Sequence, residues 1–203
     1  MNTSASGGYL LPVDGGAPSS EEQAFTRLLQ GCIAGVTGLS GEFVRPRWQP
    51  VPPNQPEDGT DWCAFGVTGR SPDFDARVSV DATGTQTTVS RCVRLDVLCS
   101  FYGPGCFGYA DRLGAGLALS QNRAALRRAG VAVVAAGAVQ PAPALYNGRW
   151  RTKADVLLTL NWDVQHTYSV LSFIALPALA HTDHADPLLQ SLGCFHPDFF
   201  NEG

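Results

Sequence analysis

Histidine and aspartate side chains cluster near the carboxy-terminal end of the chain, in the run HTDH at residues 181–184. His181 and His184 are three residues apart and Asp186 follows them, and imidazole and carboxylate groups are good zinc ligands. The run differs from the H-E-x-x-H of zinc peptidases, because no glutamate base stands between the histidines and no helical pattern supports them. We expect a polar surface segment here, with zinc-dependent hydrolysis through these three residues as the alternative.

No other stretch has the spacing of a catalytic motif. The sequence lacks the nucleophile elbow, the Walker A loop and the Rossmann glycine pattern. Ser71 lies in the polar run GRSPD with no base near it in the sequence, and all four histidines lie at or beyond His166. No pair of nucleophile and base is indicated, so we expect a protein that is not an enzyme and has no catalytic residues, no metal site and no cofactor.

The six cysteines raise the question of disulfides or metal ligation, but no two of them have the C-x₂-C spacing of a zinc site. Cys32, Cys63 and Cys99 lie within apolar patterns, where a free cysteine behaves as a small buried hydrophobe. We expect reduced thiols, with intermolecular disulfides and metal ligation as the alternatives.

Arg45, Arg47 and Trp48 open the stiffest part of the sequence, the proline-rich stretch at residues 43–67. Arginine and tryptophan can stack on nucleotides and contact phosphate, but they also pack on proline and pair with the acids of a protein partner. The stretch lies between two predicted strands of one domain, which excludes an interdomain linker. We expect a rigid strap that contacts a partner, with nucleic-acid contact through these residues and the arginines of residues 123–128 as the alternative.

Length and composition indicate one domain with extensions. Of the 203 residues, 44% are hydrophobic and only 16% are charged, below the roughly 25% of ordinary globular proteins. A low charge content suggests that other subunits cover part of the surface. The net charge of −4 disfavours a dedicated nucleic-acid binder. We also expect no membrane span and no secretory signal, because neither pattern is present, and a protein that stays in the cytoplasm where it is made.

The periodicity predicts a helix, a set of strands and a second helix. Ser19 and Glu22 have the spacing of a capping box, and the first helix should end within residues 35–41. Residues 69–86 read as a polar loop with room for a short hairpin, and Asn147–Gly148 as a tight turn. The further predicted elements are strands at residues 43–47, 61–68, 87–101, 131–137 and 149–167, and a helix at 106–120 with a continuation to Gly130.

This order predicts an α+β fold: a mostly antiparallel four- to five-stranded sheet, two main helices packed on one face, and extended arms at both ends. We expect an amino-terminal arm at residues 1–18, anchored by apolar residues at Tyr9 and Leu10. The domain should span residues 19–168. Residues 169–203 should form an extension that contacts partner subunits, because this tail is too apolar to be left in water.

Several blocks of the sequence, in order, resemble the neck or tail terminator proteins of tailed bacteriophages. They are MNTSASGGYLLP, GVTGLSGEFVRPRWQPVPPNQPEDGTDWCAFGVT, RLDVLCSFYGP, LSQNRAALRRAGV and RW…KADVLLTL. The resemblance spans residues 1–168, and the proline-aromatic block is its most specific part.

The resemblance implies a structural virion protein, assembled in the host cytoplasm, that forms a homohexameric ring. Such a ring caps the head-proximal end of the tail tube, ends its polymerisation and joins the tail to the head connector. Its implied partners are other copies of itself, the tail tube protein, connector or neck proteins and, in contractile tails, the sheath. DNA would pass through the ring without sequence-specific binding.

Two groups of residues acquire roles from this resemblance. An acidic channel or tube-docking loop, which would repel DNA phosphates, would contain Asp73, Asp75 and Asp81. The contacts with neighbouring subunits or partners would come from Tyr9, Leu10, Arg45, Arg47, Trp48, Phe173, Phe195, Phe199 and Phe200.

Overall fold

A computed structural model of the chain describes residues 7–13, 18–51, 54–146 and 148–170. The chain divides into two compact units. The first combines the described parts of Met1–Gly15, Asp73–Cys92 and Asp163–Gly203, and the second combines Gly16–Pro72 with Val93–Trp162. The predicted domain limits at residues 18 and 168 stay a prediction.

The described residues form helices, one short 3-10 turn and two sheets. The helices are α1 (Pro18–Thr37), α2 (Cys106–Ala118) and α3 (Ser120–Arg127), and the 3-10 turn is Gly41–Phe43. The strands are β1 (Val44–Pro46), β2 (Trp62–Pro72), β3 (Arg77–Val80), β4 (Gln86–Tyr102), β5 (Val131–Ala136), β6 (Gln140–Pro141), β7 (Ala144–Tyr146), β8 (Arg149–Arg151) and β9 (Lys153–Ser169). No helix within these ranges is long and apolar enough to cross a membrane.

Helix α1 follows the predicted pattern closely. Phe25, Leu29 and Ile33 recur at four-residue spacing and are all buried, so they form the face that packs against the core. The helix begins at Pro18, one residue before the predicted cap, and proline suits the first helical position because its missing N–H would have no partner there. It ends at Gly38, whose φ of 82° needs glycine and whose N–H bonds to Ala34.

The main sheet is larger than predicted, and it is mixed because one strand pair is parallel, although its other described pairings are antiparallel as predicted. Its strand order is β1-β2-β4-β9-β5, with β3 paired to β4 and β6 paired to β9, which makes seven strands. Strands β2 and β4 are antiparallel, as are β5 and β9, but β1 pairs with β2 in parallel. The α+β class is therefore confirmed, while the strand count of four to five was too low.

The parallel pair explains the proline-rich stretch. Parallel neighbours cannot be joined by a tight turn, since the chain must return to the starting end of the first strand. Here the connection from β1 to β2 runs through residues 47–61, the stretch that the sequence marks as stiff and strand-free. The strap is therefore the crossover that makes a parallel β1 possible.

The core of the second unit lies among the helices and the long strands. Helix α1 contacts α2, α3 and β1, while α3 also packs on β5. The predicted alternation along β4 is confirmed, with Val93, Leu95, Val97, Cys99 and Phe101 buried. The second predicted helix is instead two helices, because Leu119 between them is extended, with φ −73° and ψ 129°.

Two predicted features near the strand ends need correction. The polar loop at residues 69–86 is shorter than expected, because β2 continues to Pro72 and β3 forms the hairpin with β4. The predicted strand at residues 149–167 divides at Thr152: its first three residues are β8, paired with β7, and the remainder is β9. The tight turn is confirmed as the β7–β8 connection, with Gly148 at φ 73°.

The first unit is held by backbone pairing in its described residues. Strand β3 pairs with the first half of β4, from Arg77 opposite Ser90 to Val80 opposite Thr87. The amino-terminal segment adds a single bridge between Pro12 and Tyr168, supported by a hydrogen bond from the N–H of Val13 to the carbonyl of Thr167.

A glycine pair on α2 gives a test of how tightly α1 and α2 pack. A methyl group at Gly116 would clash with the Val36 side chain, which is β-branched and stiff, whereas one at Gly108 would meet nothing. We expect Gly116→Ala to lower the free energy of unfolding by about 1–2 kcal/mol despite its better helix propensity. Gly108→Ala should raise it by up to about 1 kcal/mol. Urea unfolding measures both, and a Gly116→Ala protein as stable as the unsubstituted chain would contradict the close packing.

Candidate interaction site

Trp48 is held at the surface in a strained conformation. Its side chain is 70% exposed, and its φ of 53° lies in the left-handed region that residues other than glycine seldom adopt. The indole lies against Gly66 of β2, where a Cβ atom would be only 2.7 Å from the ring. The ring therefore takes its place because position 66 has no side chain. An exposed aromatic in one imposed orientation is suited to contact with a protein partner.

Arg47, the neighbour of Trp48, points into its own chain. Its Nη2 donates to the hydroxyl of Ser100 on β4, and that hydroxyl donates to the carboxylate of Asp155 on β9. Lys153 Nζ completes the series 2.9 Å from the other oxygen of Asp155. Ser100 is fully buried, so this polar series runs through the interior. Arg47 thus fastens the strap to two strands, and the exposed side of the strap belongs to Arg45 and Trp48.

Arg45 closes the strap on itself. Its Nε donates to the carbonyl of Glu42 at 3.0 Å and its Nη1 to the carbonyl of Asn54 at 2.6 Å, which joins the residue before the proline-rich stretch to the middle of that stretch. Beside Trp48, a pocket of about 160 Å³ opens between α1 and the strap, lined by Phe25, Leu29 and Phe65 among others. The strap therefore presents one fixed aromatic ring next to a small apolar pocket.

A second aromatic surface lies around the β7–β8 hairpin, and no sequence signal singled it out. Leu145 and Trp150 are directly opposite each other in the hairpin and are 61% and 72% exposed. Arg151 anchors the hairpin, with Nη2 2.5 Å from a carboxylate oxygen of Asp58. The neighbouring pocket, of about 220 Å³, also contains the stacked rings of Trp62 and Tyr102, 4.3 Å apart.

The three acidic residues predicted for the channel loop flank β3. Asp73 and Asp75 precede the strand and are exposed. Asp81 follows it and organises the turn into β4, because Oδ1 accepts the N–H groups of Thr85 and Gln86 at 2.9 and 2.8 Å. The hydroxyl of Thr83 also donates to this carboxylate, and these hydrogen bonds, that from Thr83 foremost, lower its pKa. Asp81 is thus a turn residue, whereas Asp73 and Asp75 are exposed, and Asp73 accepts a local hydrogen bond from the N–H of Phe74.

The remaining predicted contact residues lie partly beyond the structure. Tyr9 is 94% exposed and Leu10 is half-buried. Phe173, Phe195, Phe199 and Phe200 lie outside the described residues, as do the candidate zinc ligands His181, His184 and Asp186. Within the described ranges, no group of three or more histidine, cysteine or acidic side chains is placed to hold a metal ion.

The arginines of the nucleic-acid alternative make hydrogen bonds within their own chain. Arg123 Nε donates to the carbonyl of Leu117 at 2.7 Å, and Arg128 Nε donates to that of Ala124 at 3.4 Å. Together with the inward-pointing Arg47, these contacts favour structural roles over a continuous phosphate-binding surface.

None of the five cysteines that the structure describes is joined in a disulfide within the chain, and their expected reduced state stays a prediction. Burial, with a smaller contribution from Cys99, raises the pKa of the Cys32 thiol to about 11. Burial likewise raises the pKa of Cys63 well above its ordinary value, and a hydrogen bond with Cys99 adds to the effect. These thiols stay protonated near neutral pH, so they are weak nucleophiles and weak metal ligands there.

The raised pKa of Cys32 predicts a loss of stability in alkali. In the unfolded chain the thiol ionises near its ordinary pKa of 9.0, while the folded thiol stays protonated to about 11, so ionisation favours unfolding between these values. We expect Cys32→Ala to lose less stability than the unsubstituted chain between about pH 8 and about pH 10.5, by on the order of 1 kcal/mol. Urea unfolding at both pH values measures the difference, and equal losses would contradict it.

Comparison with known proteins identifies one family. The family model described as Phage neck terminator protein matches residues 23–182, which is most of the chain and extends from within α1 to beyond β9. A comparison with curated proteins finds no match. The family match agrees with the resemblance carried by the sequence blocks, including the proline-aromatic strap.

Proposed function

Since the chain belongs to the phage neck terminator protein family, a family of structural proteins of the virion neck, we propose that it caps the tail tube. In this proposal the protein forms a ring at the head-proximal end of the tube, ends tube polymerisation and joins the tail to the head connector. The family match over residues 23–182 is the observation that carries the proposal.

The proposed ring is a homohexamer that contacts the tail tube protein and connector or neck proteins, and the sheath if the tail is contractile. Large exposed apolar side chains support a protein that is covered in its assembly. Beyond Trp48 and the Leu145–Trp150 pair, Phe74 is fully exposed. Tryptophan is enriched among the residues that dominate binding energy at interfaces, so the strap and the hairpin are the preferred contact surfaces.

The DNA path is proposed to carry negative charge. Asp73 and Asp75 are exposed, and in a ring they would be repeated around the axis. Phosphates repel carboxylates, so a channel lined in this way lets DNA pass without binding it. The role assigned to the loop is therefore to keep the DNA from adhering, or to dock the ring onto the tube.

The ring itself is testable with the purified full chain. Multi-angle light scattering should give the mass of six copies, and negative-stain images should show six-fold rings. Addition of the rings to growing tail tubes should stop elongation, because the tube end is then covered. A chain that stays monomeric at all concentrations, or that leaves tube growth unchanged, would overturn the proposal.

The acidic loop has its own test. We expect the double substitution Asp73→Asn and Asp75→Asn to reduce phage titre or slow DNA ejection by about tenfold, because DNA then meets less repulsion. Asp81 is left in place because it organises the β3–β4 turn. Asp111→Asn, at an exposed acid on α2, is the matched control and should have no effect. Unchanged infectivity of the double variant would refute the role of the loop.

A further inference from the structure

Helices α1 and α3 leave a groove of about 410 Å³ that nothing in the described chain fills. On the α1 side, the base of the groove is formed by Gly31 and Gly35. An added Cβ at either glycine would meet no atom within 4 Å. Val36 and, on α3, Ala125 and Leu126 complete the apolar lining. Two glycines, one turn apart, leave space here because neither of them places a side chain in the groove.

The charged residue that lines the groove is basic, as are the charged residues next to its α3 lining in the sequence. Arg27 lines it on α1, and α3 with its carboxy-terminal turn carries Arg123, Arg127 and Arg128. No Asp or Glu occurs anywhere between Asp111 and Asp155, and none occurs on α1 after Glu22. A ligand of this groove is therefore expected to be apolar and to carry negative charge.

One segment of this chain has that composition. Residues 171–203 contain many apolar side chains together with Asp183, Asp186, Asp198 and Glu202, and they contain no lysine or arginine. The last described backbone contact before this segment is the hydrogen bond from the N–H of Val170 to the carbonyl of Thr85. Beyond it, the segment could span on the order of 100 Å if extended, long enough to reach another subunit.

We propose that the α1–α3 groove receives residues 171–203 of a neighbouring copy of the chain. The apolar side chains of the segment would lie over the glycine floor, and its carboxylates would pair with the surrounding arginines. An arm and a groove are two different surfaces present on every copy, and such heterologous contacts can close into a ring. The inference rests on the proposed ring and identifies how its subunits are joined.

The β7–β8 hairpin of another copy is the competing occupant. It offers the exposed Leu145 and Trp150, but these are flanked by Arg149 and Arg151. Bringing these arginines to a basic groove costs free energy through repulsion between like charges, whereas the acidic segment gains attraction. Charge complementarity therefore favours the carboxy-terminal segment.

Cross-linking in the full chain tests the assignment. A photoreactive phenylalanine analogue replaces Phe195, which lies between Asp186 and Asp198 in the segment, and isotopically heavy and light chains are mixed, assembled and irradiated. Mass spectrometry should find cross-links to residues 27–36 or 122–126 that join heavy to light chains. Cross-links within single chains would overturn the assignment to a neighbour, and cross-links outside the groove would overturn the site.

Filling the groove provides a matched pair of variants. Gly35→Leu places a leucine side chain inside the groove. Gly108→Leu places the same side chain on α2, outside the groove. At both positions an added Cβ meets no atom within 4 Å. We expect Gly35→Leu to reduce the groove cross-links at least about tenfold and Gly108→Leu to leave them unchanged. Equal yields of these cross-links in the two variants would count against the groove as the site. Circular dichroism checks that both variants are folded. If Gly35→Leu does not fold, the cross-link map of the unsubstituted chain still decides.

The oligomeric state separates this inference from the proposed function. Six-fold rings with cross-links away from the groove would overturn the groove assignment and leave the ring intact. A chain that is monomeric at all concentrations would overturn both, because no neighbouring copy would then supply the segment.

Discussion

The hydrogen bonds from Arg47 to Ser100 and from Ser100 to Asp155 join the strap, β4 and β9 through the interior of the second unit. Removing part of a guanidinium from water is costly unless it is paired, and the half-buried Arg47 reaches a carboxylate through one buried hydroxyl, while its Nε has no hydrogen-bond partner among the described residues. The position of the strap depends on this pairing, because Arg47 directly precedes Trp48. The backbone N–H of Arg47 also donates to the carbonyl of Phe65 at 2.7 Å, so side chain and main chain together hold the strap on the sheet next to Trp48.

The need to hold the strap in one position also explains why the β1–β2 connection is rich in proline. A three-residue strand such as β1 contributes few hydrogen bonds, and its parallel pairing with β2 requires a long connection. Prolines limit the conformations of that connection in the unfolded chain, so less conformational entropy is lost when it is ordered. Arg45 then fastens the middle of the connection by its hydrogen bond to the carbonyl of Asn54, and the result is a stiff surface element suited to repeated contacts in an assembly.

Charge is distributed unevenly along this phage neck terminator protein. No acidic residue occurs between Asp111 and Asp155, and no lysine or arginine occurs after Lys153. A net charge of −4 conceals this separation, which matters more for assembly than the total does. Oppositely charged surfaces on each copy favour contacts between unlike surfaces of neighbouring copies and disfavour contacts between like ones.

The sequence by itself determined the elements whose signals are local. The spacing of Phe25, Leu29 and Ile33 predicts α1, the alternation in β4 predicts a half-buried strand, and Asn147–Gly148 predicts a hairpin. The family could also be identified, because contiguous blocks carry the resemblance. The locations of the acidic loop and the strap followed from composition alone, although the different roles of Asp81 and Asp73 did not.

Only the tertiary structure decided the features that join distant residues. Arg47 and Ser100 are 53 positions apart, and Ser100 and Asp155 are 55 apart, so no local pattern could pair them. The parallel pairing of β1 and the α1–α3 groove likewise depend on which elements become neighbours. Periodicity reports which face of an element is buried, but the partner of that face is selected by packing over the whole chain.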